Sequence, residues 1–294
     1  VGSAIAGLVR RHPLVAFSIL AYALSWWAWP LYAAGLLPVP IASFGPFLAA
    51  LVVLSLTHGR AGVVTLLRRM GRWRVGLGWY AVAFALPAAI AGGAAGLNVL
   101  LGAQALPVAP SASWTGLVTA FLLLLLVPGY GGAWEEPGWR GYAQPALQAR
   151  RPALRASLLL GVLVAGWHVP LFATGDGSWA ELGSIVGGTV VLAWVFNGSG
   201  GSVLLTMLLH ATNNTASGLF GRQFAGADAV TLGWLLSGLW CLAALAVVVV
   251  AGPARLSRRE RVPLVGPTPD AAQPAGVDRE PPRPAAAAAP SGSI

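Results

Sequence analysis

Lysine is absent from the 294 residues, cysteine occurs once and only nine side chains are acidic. A single cysteine, Cys241, forms no intrachain disulfide and leaves no CxxC metal site. Charged residues make up 9% of the chain against 56% hydrophobic, with a mean hydropathy of +0.72, which excludes an ordinary soluble domain. No phosphate-binding loop, solenoid repeat or HExxH motif occurs. The net charge of +9 is carried entirely by arginine, and its placement follows the apolar segments rather than forming a nucleic-acid patch.

What is present is a succession of apolar runs of about 20 residues, each long enough at about 1.5 Å per residue to cross a hydrocarbon layer of about 30 Å. The pattern predicts an all-α polytopic membrane helix bundle of about eight transmembrane helices, at positions 14–36, 39–57, 78–102, 115–142, 154–174, 179–197, 202–220 and 229–252. Arginines 10, 11, 60, 68, 69, 72, 74, 150, 151 and 155 and those of the tail fall on one side of this arrangement; the loops of the other side hold only Arg222. By the positive-inside rule the arginine side is cytoplasmic, with the N- and C-termini both there. Trp26, Trp27, Trp79, Trp114, Trp179 and Trp234 sit near span ends, at headgroup level.

Three domains follow. Residues 1–113 form N-terminal transmembrane helices 1–3, with a basic, amphipathic interfacial segment between the second and third. The first span is a retained helix rather than a cleaved signal, being over 20 residues long without a small-x-small cleavage site. Residues 114–252 form a membrane core, and 253–294 a disordered cytoplasmic tail rich in proline and alanine. Gly92/Gly96 and Gly183/Gly187 have the spacing that lets helix backbones approach closely.

Ionisable groups inside spans are expensive, on the order of 3 kcal/mol at the bilayer centre, and normally face protein or water. Here they are few. Glu135 and Glu136 follow the run "FLLLLLVPG" in "GYGGAWEEPGWRGY"; His168 lies in "GVLVAGWHVPLF" and His210 in "SVLLTMLLHATNNT". His210 and Asn214, four apart, share one helix face, as do Glu136 and Arg140. Such a set suits water activation: a carboxylate takes the proton, a histidine shares or orients it, and a second polar pair stabilises an oxyanion. His210 and Asn214 suit the oxyanion hole. A polar cavity opening to the cytoplasm is expected.

These residues resemble the CAAX prenyl endopeptidase and bacteriocin-processing (CPBP, or Abi) membrane proteases, whose signature is EExxxR, FxxxH and HxxxN in that order. "EEPGWR" supplies Glu135, Glu136 and Arg140, and "HATNN" supplies His210 and Asn214. "VAGWH" supplies His168 with Val164 in place of phenylalanine, a change in a packing contact. The resemblance covers residues 115 to 220. It implies a glutamic-type intramembrane endopeptidase in which Glu135 and His168 activate water, His210 and Asn214 form the oxyanion hole, and Glu136 and Arg140 support them. No cofactor or metal is implied. The implied partners are a peptide or protein substrate, membrane-anchored in some relatives, and the lipid bilayer, with no nucleic acid. The arginine-only, alanine-rich composition points to a bacterial source.

Two alternatives stay open: a zinc-dependent variant with one carboxylate and two histidines as ligands, and a non-catalytic membrane binding or bacteriocin-immunity protein using the same cavity. Helix geometry adds one requirement. His210 lies about 13 Å and His168 about 21 Å from the cytoplasmic edge. Glu135 must reach comparable depth; extending the fourth span to Tyr142 sinks it by about 10 Å, and tilt, or a break at Pro128 and the Gly129/Gly131/Gly132 cluster, must supply the rest.

Overall fold

A computed structural model of the chain describes residues 2–106 and 113–266. All regular structure among these residues is helical. In chain order the helices are α1 (Gly2–Arg11), α2 (Pro13–Trp26), α3 (Ala28–Ala33), α4 (Gly45–Met70), α5 (Leu77–Leu100), α6 (Trp114–Leu126), α7 (Glu136–Gly138), α8 (Gln144–Gln148), α9 (Ala153–Trp167), α10 (Val169–Thr174), α11 (Leu182–Gly198), α12 (Val203–Gly221) and α13 (Gly226–Ala251). A 3₁₀ turn, Gly132–Glu135, precedes α7, and a π-type turn, Trp139–Ala143, follows it.

Six helical stretches among the described residues are long and apolar enough to cross a membrane: Pro13–Ala33, Gly45–Met70, Leu77–Leu100, Ala153–Thr174, Trp179–Gly198 and Gly226–Ala251. The protein is a multi-pass membrane protein. The expected crossings at 115–142 and 202–220 fall short of that standard for a physical reason. The first is interrupted, and the second, α12, carries Thr206, His210, Thr212, Asn213, Asn214 and Thr215 among its apolar residues. Both segments hold proposed site residues.

Of tilt and a break, the structure has the break. Ser113 caps α6 by accepting from Gly116 N, and the helix ends at Leu126 with Val127 in extended backbone. Gly129 then adopts φ 87°, a left-handed conformation open to glycine, and Gly131 is extended. The chain resumes as short 3₁₀, α and π turns through Gln148. Trp134 donates its Nε1–H to Leu125 O at 3.1 Å, tying the resumed segment to the end of α6.

The basic stretch after the second span is helical and is set off from that span by a break at Gly59. It continues α4 to Met70 across a kink at Gly59 (φ 58°, ψ −149°). Its inner face is anchored by Leu66 and Arg69, both buried.

Two apolar clusters flank the site. One joins Phe17, Leu54 and Leu66 to Trp139, Tyr142, Leu160 and Trp167, so the segment after the glutamates packs against α2, α4 and α9. The other joins α5, α11, α12 and α13 through Ala83, Val191, Leu205, Leu209 and Trp240. Trp114 and Trp179 are exposed at helix starts, as amphipathic rings at headgroup level should be.

The expected boundary of the disordered tail needs correction. Residues 253–266 pack on the bundle: Leu256 and Val262 are buried, Ala153 N donates to Ala254 O at 2.9 Å, and Arg69 donates to the carbonyls of Pro263 and Leu264. Apolar residues in a proline-rich stretch thus find a surface that composition alone does not reveal. Residues 267–294 of that expectation lie outside the described residues.

Candidate active site

Glu135 ends the 3₁₀ turn and Glu136 begins α7, so the two carboxylates leave the chain in different directions. Glu136 is wholly buried. Its Oε1 accepts from Arg140 Nη1 at 3.0 Å and from His210 Nδ1 at 2.7 Å. Arg140 Nη2 donates to Thr189 Oγ1 at 3.2 Å, and Thr189 in turn donates to Ile185 O. One carboxylate oxygen therefore links α7, α12 and, through the guanidinium, α11. Buried charges in low dielectric are held only when paired and hydrogen-bonded in this way.

Because a carboxylate accepts, the proton on His210 Nδ1 is directed at Glu136 and the ring is fixed in orientation. Gly132 packs against the opposite edge of that ring, and a Cβ added there would sit 2.1 Å from His210 Nε2. His168 stands at the junction of α9 and α10, where Pro170 in the first turn of α10 prevents a continuous helix. Its Nδ1 lies 2.8 Å from Val164 O. A backbone carbonyl only accepts, so Nδ1 carries the hydrogen and Nε2 is left as the acceptor of the neutral ring. Trp167 and Phe172 pack against the imidazole.

Glu135, His168, His210 and Asn214 line one cavity of about 360 Å³, together with Arg140. Glu135 is 4% exposed, and its Oε2 makes no hydrogen bond among the described residues. A buried carboxylate oxygen left without a hydrogen bond requires a role or a water. Asn213 Nδ2 donates to Asn214 Oδ1 at 3.4 Å, which leaves the Asn214 amide hydrogens unused by that contact. All four proposed catalytic residues share this cavity; Glu136 stands behind it, bonded to two of its lining residues.

Sequence reasoning missed several members of the lining. Thr189 holds Arg140, and its only signal was a hydroxyl in the glycine-rich run "VGGTVV". Glu181, at the start of the expected span 179–197, lines the cavity while its Oε1 accepts from Ser178 N. Asn213, Ser184 and Ser217 also line it.

The expected cytoplasmic opening is not what the lining describes. On α12 the lining runs from Leu209 and His210 through Asn213, Asn214 and Ser217 to Gly221, and on α11 from Leu192 back to Ser184. Both run away from the helix ends joined by residues 199–202, where Ser202 Oγ donates to Arg72 O.

For zinc, the donor set is the test. Among the described residues no group of three His, Cys, Asp or Glu side chains is close enough to hold a metal. The geometry gives the zinc variant no support.

Residues 113–216 match the family model described as type II CAAX prenyl endopeptidase Rce1-like. This segment is similar to the CAAX prenyl endopeptidases. The match takes in all six motif residues, Glu135, Glu136, Arg140, His168, His210 and Asn214. A CAAX prenyl protease 2 of Methanococcus maripaludis is 31% identical over 108 residues, 33% of this chain. The chain spans 38% of that relative's length.

Proposed function

We propose that the protein is an intramembrane endopeptidase of the CAAX-protease type, cleaving a peptide or a membrane-associated protein with water as the nucleophile. The observation that carries this reading is the single cavity lined by Glu135, His168, His210 and Asn214. Glu135 accepts a proton from water as the water oxygen attacks the scissile carbonyl carbon. His168, whose Nδ1–H is committed to Val164 O, offers Nε2 to the same water and orients it. Negative charge then develops on the former carbonyl oxygen. The Asn214 amide donates to it, and His210 donates from Nε2 when both ring nitrogens are protonated, a form whose charge Glu136 compensates. Collapse breaks the C–N bond, the proton held by Glu135 passes to the leaving nitrogen, and an amine and a carboxylate are released. Donors fixed before the reaction act most strongly in a site of low dielectric.

Glu136 and Arg140 are positioning residues in this scheme, since their contacts are to His210, to Thr189 and to each other. The test compares membrane peptidomes of cells carrying the wild-type and Glu135→Gln proteins, with His168→Ala as a second variant. Peptides that disappear in both variants, with the proteins still folded, support proteolysis. An unchanged peptidome with unchanged cellular function favours the binding or immunity role instead.

A further inference from the structure

The described structure joins its arginine-bearing loop segments at one end, except the one that carries Arg222, which lies at the other. Ser202 Oγ donates to Arg72 O, Arg261 Nη1 donates to Gln148 O, and Ala153 N donates to Ala254 O. Arg150, Arg151 and Arg155 belong to that same end. The opposite end holds Asp176, Glu181 and Asp228: Asp228 Oδ2 accepts from Gln104 N, and Leu106 N donates to Gln223 O. By the positive-inside rule the arginine end is cytoplasmic.

Between the site and that end the protein is closed by a buried polar layer. Gln144 Nε2 donates to Ser157 Oγ at 3.1 Å, Gln148 and Asn197 exchange side-chain hydrogen bonds at 3.2 and 3.0 Å, and Asn197 Nδ2 also reaches Arg255 O at 2.8 Å. These amides are 0–3% exposed and pair with one another, with Ser157 or with backbone. On the other side burial relaxes. The cavity passes from Arg140 and Thr189, both buried, to Ser178, Glu181, Gly221 and Ala229, all half-buried. The polar groups Asn213, Ser217, Ser178 and Glu181 line that path, as a wet route for a peptide backbone requires.

We propose that the site admits its substrate from the extracytoplasmic face, so that its substrates are exported peptides or peptide segments of proteins held at the outer leaflet. The substrate class rests on the proteolytic reading; the direction of access does not.

Cysteine accessibility decides the direction. In a Cys241→Ser background, which removes the only native cysteine, single cysteines are introduced at Asp176, Ser217 and Arg151 and exposed in intact cells to a membrane-impermeant maleimide. Gly221→Cys is a second lining probe, since a Cβ there meets nothing within 4 Å. Labelling of the Asp176, Ser217 and Gly221 variants without permeabilisation, and of the Arg151 variant only after it, is the expected result. Loss of cleavage by the Ser217→Cys protein on labelling, relative to its own unlabelled form, is expected with it. Lining cysteines that react only from the side that exposes the Arg151 variant overturn the proposal. A peptidome unaltered by Glu135→Gln, with lining cysteines still labelled from outside, overturns proteolysis and leaves the direction of access standing.

Discussion

His210 Nδ1 lies 2.7 Å from Glu136 Oε1, the same oxygen that Arg140 Nη1 reaches at 3.0 Å. A single atom thus fixes the orientation of an imidazole on one helix and neutralises a guanidinium on another. Two substitutions separate these duties. Glu136→Gln keeps the volume and removes the charge, so kcat falls while KM changes little. Glu136→Ala also leaves Arg140 buried without its counter-ion, which is expected to destabilise the protein by about 3–5 kcal/mol. Kinetics in proteoliposomes and thermal unfolding in detergent read the two effects. Equal stability of both variants would show that the pair does not hold the bundle.

In the proposed mechanism Glu135 and Asn214 act on the substrate and, unlike Glu136, hold no buried ion pair with Arg140, so their loss should leave the melting temperature near that of the wild type. Glu135→Gln is expected to lower turnover by about 10²–10⁴-fold, the range for a lost general base. Asn214→Ala is expected to lower it by about 10²–10³-fold, the range for a lost oxyanion donor. A full-rate Glu135→Gln enzyme would remove the carboxylate from the mechanism.

Gly132 supplies a test of positioning that touches no ionisable group. An alanine there would place Cβ 2.1 Å from His210 Nε2, and the ring cannot retreat without leaving Glu136. Gly132→Ala should therefore lower kcat while expression and folding persist. Wild-type turnover in that variant would mean that His210 tolerates displacement and does not act as a fixed donor.

The helical class and the motif residues were legible because hydropathy and charge are read locally: long apolar runs, arginines on alternate loops, and three motifs at helical spacing. The break before Glu135 was legible as one of two ways to reach the required depth, tilt being the other, since Pro128 and the glycines after it can interrupt a helix. Thr189 was not, because a lone hydroxyl in an apolar helix announces no partner until Arg140 is seen to meet it. Nor was the direction of the cavity, which depends on how Gln144, Gln148 and Asn197 close one end. The docking of residues 253–266 was hidden for a similar reason. Its anchors, Arg69 and Asn197, lie far away in sequence and bond only to backbone carbonyls of the segment.

That docked segment predicts a stability effect remote from the chemistry. Arg69 is 3% exposed and donates to Gly141 O at 3.0 Å as well as to Pro263 O and Leu264 O, bridging the segment after the glutamates to residues 263 and 264. Hydrogen bonds from a charged group are worth about 1.5–3 kcal/mol each. Arg69→Met should lower the melting temperature and make residues 253–266 sensitive to protease, and truncation after Gly252 should lower it likewise. Resistance of that stretch to protease in Arg69→Met would show that Leu256 and Val262 alone hold it.

Small residues at helix contacts give the last prediction, because lipid supplies no hydrophobic drive for one helix to seek another and close backbone approach must do it. The two glycine pairs with the same spacing behave differently. A Cβ at Gly187 would lie 2.8 Å from the backbone carbonyl of Trp240, an atom that cannot rotate away, whereas a Cβ at Gly96 would meet nothing within 4 Å. Gly187→Ala must push α11 from α13 and is expected to destabilise the protein by about 1–3 kcal/mol, the range for overpacking. Gly96→Ala fills open space and should be neutral or stabilising by up to about 1 kcal/mol through helix propensity. Since α11 also carries Thr189, the partner of Arg140, Gly187→Ala should lower turnover as well. Unfolding in detergent of the two variants side by side reads the difference, and matched stabilities would show that the α11–α13 contact is not set by the absence of a side chain at Gly187.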